Sequence, residues 1–179
     1  MKDSELIQRW LDGDEAAFHT LYDRYRLPLY AYLNRLAAGD SHLADDLYQQ
    51  VWTRAVDRFD QYRESDRFLS WLFRIGHNLA VDHFRRRKTA AEEALDSPVE
   101  DEGESVADRL DRDVISKALE DAIRDLKPDQ REVVELRRNG LPFKEIAAIQ
   151  DVSINTVLGR MHYAVHHLRE VLGPLRSTP

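Results

Sequence analysis

From Phe18 onward, apolar residues recur at three- and four-residue steps: Phe18, Leu21, Tyr22, Tyr25, Leu29, Tyr32, Leu33 and Leu36. That spacing lays them along one stripe of an α-helix, so residues 5–38 read as a single helical run. Ala38-Gly39-Asp40-Ser41 breaks it, and Asp40 or Ser41 can accept hydrogen bonds from the open amides of the next helix. The second helix carries Leu43, Leu47, Val51, Trp52, Ala55 and Phe59, and residues 60–66 (DQYRESD) have turn composition. A third helix runs through Phe68, Trp71, Leu72, Ile75, Leu79 and Phe84 and ends in Arg85-Arg86-Arg87-Lys88. Trp52, Trp71 and Phe84 are expected in its core. No stretch alternates with the period of two that a half-buried strand requires. The pattern predicts an all-α protein.

Past Arg87 the apolar density falls. Residues 92–113 hold ten acids against Arg109 and Arg112, a net of −8, with Pro98 and Gly103 among them. Such a segment buries too little apolar surface to offset its ordering entropy, so a flexible linker is expected there. A second helical unit follows to about Leu172. The expected organisation is therefore a helical domain at 1–90, an acidic linker at 91–112 and a second helical domain at 113–179.

In that second domain Pro128 suits the first turn of a helix, Asn139-Gly140 closes it, and Pro142 opens the next. Ile146, Ala147 and Ile149 then form the inner face of a short helix. Asp151 stands where a tight turn needs a left-handed residue, Val152 plugs the turn, and Ser153 can cap the following helix. Val157, Met161, Ala164, Leu168 and Leu172 face inward at helical spacing, leaving Asn155, Thr156, Leu158, Gly159, Arg160, His162 and Tyr163 outside. This is the layout of a helix-turn-helix, whose second helix enters the major groove of DNA.

Charge changes the picture. The net of −7 is poor for autonomous DNA binding, but the linker alone is −8, and residues 67–88 carry six bases against Asp82. Phosphate contacts by Lys and Arg supply most sequence-independent affinity, so this basic helix is the stronger electrostatic candidate. There is no cysteine, which excludes disulfides and thiolate metal sites. The polar N-terminus and the absence of a long apolar run predict a cytoplasmic protein without membrane insertion. No phosphate loop, nucleophile elbow or catalytic acid–histidine set is present, so neither enzymatic activity nor a cofactor is expected. His162 and His166 lie one turn apart, but no third ligand joins them on that face, and no metal site is expected.

Two long segments carry a family resemblance. ADDLYQQVWTRAVDRFDQY (Ala44–Tyr62) with RFLSWLFRIGHNLAVDHFRRRK (Arg67–Lys88) resembles region 2 of a bacterial RNA polymerase sigma factor. LKPDQREVVELRRNGLPFKEIAAIQDVSINTV (Leu126–Val157) resembles region 4, and an acidic linker between the two resembles the extracytoplasmic-function (ECF) class of the sigma-70 family. The resemblance implies core RNA polymerase as partner, with Asp45, Asp46, Gln49, Gln50 and Arg54 on the β′ clamp helices and the second domain at the β flap. It implies promoter DNA as the second partner and an anti-sigma factor as a third. It also implies capture of a flipped base of the downstream (−10) element by the loop Arg63–Phe68 and Asn78, with Arg67, Arg74, Arg85, Arg86, Arg87 and Lys88 on phosphates. Asn155, Thr156, Arg160, His162 and Tyr163 would meet the upstream (−35) element.

The chain departs from that pattern at Leu158, Gly159 and Tyr163, where many relatives are basic, small and basic, and at Val165, His166 and His167. Two alternatives therefore stand beside a sigma factor: a helix-turn-helix regulator whose first domain binds another protein, and a sigma-like adaptor with weak upstream reading.

Overall fold

The computed structural model describes residues 1–63, 67–93 and 113–173, with side chains omitted for 91–93 and 113–115. These residues fall into two compact units, one within Met1–Glu104 and one within Ser105–Pro179. All regular structure among them is helical. The acidic linker lies outside the described residues apart from its first three positions.

The first unit contains α1 (Asp3–Leu11), α2 (Glu15–Leu36), α3 (Ser41–Val56), a single 3-10 turn at Phe59–Gln61 and α4 (Phe68–Glu93). The expected run over 5–38 is thus two helices. Gly13 at φ +97° makes a turn that a side chain would strain, and Asp14 caps α2 by accepting from the Ala16 amide. Asp3 fastens α1 back onto α2, accepting from Arg24 at 2.6 Å and from the Tyr25 hydroxyl at 2.6 Å. Burial, reinforced by the Asp3 carboxylate, pushes the Tyr25 hydroxyl up to about 12. Asp40 caps α3 through the Leu43 amide, as its position suggested.

α2, α3 and α4 bury Leu29, Tyr32, Leu33, Leu47, Val51, Leu72 and Phe73 between them. Gly76 lets α4 approach closely: a Cβ there would sit 2.7 Å from Leu33 Cδ2. Trp52 joins a chain of aromatic contacts that includes Phe18, Tyr22, Tyr48 and Phe68. Trp71 is half-buried against Phe59, Tyr62 and Phe68. Phe84 corrects its expected core placement. It is 41% exposed, on the part of α4 that follows the last buried residues, Leu79 and Ala80. α4 itself continues past the basic run to Glu93, because nothing in Thr89-Ala90-Ala91 breaks a helix.

The second unit contains α5 (Asp113–Arg124), α6 (Pro128–Arg138), α7 (Phe143–Ile149) and α8 (Ile154–Leu172). Ile123, Leu126, Val134 and Ala164 form a core against which Leu119, Met161 and Leu168 pack. Arg131 closes the end of α5 by donating to the carbonyls of Arg124 and Leu126. Gly140 at φ +82° ends α6, and Asp151 takes the left-handed turn at φ +51°. Ser153 Oγ accepts from the Thr156 amide at 3.1 Å and so caps α8. These three turn assignments follow the sequence expectation residue by residue.

Candidate nucleic-acid and partner interfaces

On α3 the apolar stripe Leu43–Leu47–Val51 is buried, which turns Asp45, Asp46, Gln49 and Gln50 outward, while Arg54 is partly covered. Asp45 accepts a hydrogen bond from Tyr30 of α2 at 2.9 Å, and that bond, with some burial, raises the Tyr30 hydroxyl above its usual range. Asp46, Gln50 and Arg54 line a groove of about 110 Å³ between α3 and α4, floored by Leu43, Leu47 and Leu79. Its far wall is Asp82, His83 and Arg86. Sequence reasoning did not single out Asp82 or His83. Their signal was their spacing from Leu79, which puts them beside it on the α4 face turned to α3.

The groove divides the basic run. Arg86 stands in it beside the proposed partner residues of α3. Arg74, Asn78 and Arg85 instead share another face of α4 with exposed Val81, since steps of three, four and seven residues return to one side of a helix. Arg67 precedes α4 on that same line and is exposed; Arg87 and Lys88 are also exposed. Arg85 pairs with Asp82 at 3.0 Å, an exposed pairing that costs little to exchange for a phosphate. Of the loop Arg63–Phe68, residues 64–66 lie outside the described residues.

In the second unit Asn155, Thr156, Leu158, His162 and Tyr163 are exposed on α8. The Thr156 hydroxyl is 2.9 Å from Ser153 Oγ, within the cap. Gly159 borders open space, so no packing in this unit requires a glycine there. Arg160 is different. Its side chain is only 23% exposed, and its guanidinium donates to Asp129 at 2.7 Å and to Gln150 Oε1 at 2.8 Å. The Gln150 amide nitrogen in turn donates to the Glu132 carboxylate at 2.7 Å and to the Asp129 carbonyl at 3.2 Å. Glu132 and Gln150 are both buried, which makes mutual pairing obligatory. Asp129, Glu132 and Gln150 were not singled out from sequence. A readable signal existed in Glu132, an acid directly before the apolar pair Val133-Val134 and buried with them, which demands a partner. Glu170, one turn beyond His166, lies 3.4 Å from it and so puts a carboxylate on the face expected to lack one, yet no group of three or more side chains that could hold a metal ion occurs among the described residues.

Comparison with known proteins fits this two-unit layout. Sigma-70 region 2 matches residues 21–90, and sigma-70 region 4 matches residues 116–168. The RNA polymerase sigma factor CarQ of Myxococcus xanthus is 30% identical over 170 residues, covering 94% of this chain and 97% of CarQ. The chain belongs to the sigma-70 family of RNA polymerase sigma factors. Its relatives place it in the ECF class: SigW of Bacillus subtilis, an ECF sigma factor, is 29% identical across 94% of this chain and 96% of SigW. Among solved structures, the sigma factor RpoE of Bartonella quintana, crystallised with the anti-sigma factor NepR, matches with a TM-score of 0.70 and 26% identity, covering 87% of this chain and 96% of that one. CnrH, in complex with the cytosolic domain of CnrY, matches with a TM-score of 0.63 and 25% identity over 96% of this chain and 97% of that one. In this sigma factor the region 2 match contains the α3–α4 groove and the Asn78 face, and the region 4 match contains the Arg160 network and most of α8. No described helix of this sigma factor is long and apolar enough to cross a membrane.

Proposed function

We propose that this ECF sigma factor binds core RNA polymerase and directs initiation at specific promoters, acting in the cytoplasm as an initiation factor with no catalytic step of its own. Residues 1–90 work as the polymerase-binding and downstream-element domain, and residues 113–179 as the upstream-element domain. The outer face of α3, with Asp45, Asp46, Gln49, Gln50 and Arg54, grips the β′ clamp helices, and the second unit docks at the β flap.

The observation that carries this reading is the α4 face of Arg74, Asn78 and Arg85, exposed beside but separate from the α3 surface. One helix can thus hold a single-stranded base while its neighbour holds the enzyme. Asn78 offers both a donor and an acceptor to the edge of an extruded base, and the flanking arginines neutralise the phosphates on either side. The relatives solved in complex with NepR and CnrY support an anti-sigma partner for this chain as well.

The test is to add the purified chain to core polymerase and map transcript starts on a supercoiled genomic library. Discrete starts that depend on the chain, and that Asn78→Ala weakens, are expected. Polymerase binding without discrete starts would favour an adaptor, and no polymerase binding a free-standing regulator.

A further inference from the structure

We infer that α8 reads its upstream element chiefly as A·T base pairs and makes no bidentate guanine contact. The inference rests on the sigma-factor reading and concerns which bases that site accepts.

Guanine is read in the major groove chiefly by Arg or Lys paired to its O6 and N7. In the first ten residues of α8 the only such residue is Arg160. Both ends of its guanidinium fork are already bonded, to Asp129 of α6 and to Gln150 at the end of α7. Releasing Arg160 toward DNA would expose Gln150, itself 8% exposed, and strip one partner from an amide that also satisfies Glu132. A buried polar group left unpaired is costly. Arg160 is therefore a positioning residue that fixes α8 against α6 and α7, and its expected DNA contact is revised on that ground.

What remains outward at the front of α8 carries neither Arg nor Lys: Asn155, Thr156, Leu158, His162 and Tyr163 are exposed, with Gly159 among them. Asn155 carries the amide that pairs with adenine N6 and N7, and apolar surface suits the thymine methyl. Leu158 is 44% exposed and Tyr163 66% exposed, and both flank Gly159, which leaves room for a base pair to approach the helix backbone. Thr156 can bond either kind of base pair, and His162 is a single imidazole without the two-pronged fork of Arg, so no exposed group on this helix front pairs guanine O6 and N7 together.

The test uses polymerase holoenzyme carrying the full-length chain to select initiating promoters from a library randomised upstream of the start site. The expected upstream block is composed of A·T pairs with guanine depleted on both strands. Asn155→Ala should relax one adenine by about 10-fold or more, and Leu158→Arg should bring a G·C pair into the block. A preferred G·C pair selected by the unaltered chain would overturn the inference; its loss in Arg160→Ala would show that the cage opens on DNA. A downstream block with nothing enriched upstream would also overturn it, while leaving the initiation reading in place. No enrichment at any position would overturn both.

Discussion

Replacing Phe73 by alanine is expected to destabilise the first unit by about 3–5 kcal/mol. The ring is fully buried, its centroid 4.4 Å from that of Tyr32, at the level where Gly76 brings α4 against α2 and α3. Removing it loses both transfer free energy and contacts that the backbone cannot close over, because Gly76 already sets the helices at close approach. For a domain of this size each kcal/mol shifts the midpoint by roughly 4–8 °C, so the expected fall is about 12 °C or more. Hydrogen exchange of α2, α3 and α4 amides in the full chain reads the change directly. A loss below about 1 kcal/mol would mean that the three-helix junction is not the centre of this core.

The second large effect is electrostatic. Substituting Arg85, Arg86, Arg87 and Lys88 together by alanine is expected to flatten the salt dependence of promoter binding by the holoenzyme. Each phosphate contact contributes about 0.7 to 0.9 to the slope of log affinity against log salt, so four contribute about 3. Between about 50 and 200 mM salt the unaltered protein should then lose roughly 50- to 150-fold more affinity than the variant. The structure refines this expectation. Arg86 lines the groove beside Asp46 and Gln50, so a version that retains Arg86 should keep polymerase affinity while still losing most of the slope. An unchanged slope in the fourfold variant would show that the basic run does not touch DNA.

Much of this was legible in the sequence because the deciding signals are local. Asp40, Asp151 and Ser153 each do what their chemistry and position suggested, and the two caps and the left-handed turn delimit α3 and α8. The misreadings came where apolar spacing was taken alone. Gly13 splits the first helical run within Asp12-Gly13-Asp14, a turn signal that a reading from the apolar stripe beginning at Phe18 passes over. Phe84 kept the spacing of a core residue, but burial depends on what neighbouring elements cover, and spacing does not contain that. Arg160 looked outward for the same reason. Its partners lie ten and thirty-one residues away in sequence, and only the packing of α6 and α7 on α8 brings them to hydrogen-bond distance. Residues 94–112, the acidic segment that distinguishes the sequence most strongly in charge, lie outside the described residues.

The low positive charge of α8 has a consequence for how the protein binds promoters. With Arg160 tied internally, the first ten residues of α8 offer no other Lys or Arg for gaining affinity through counterion release. Two weak DNA contacts become effective when both are mounted on one body, because the second then forms at an effective concentration near millimolar, raising avidity by about 10²- to 10⁴-fold. Comparing the affinity of the free chain with that of the holoenzyme for one promoter fragment, at one fixed salt concentration, tests this most directly. The account predicts that the free chain binds the promoter at least about 100-fold more weakly than the holoenzyme and no better than unrelated DNA. A free chain that matched the holoenzyme in both affinity and selectivity would contradict it.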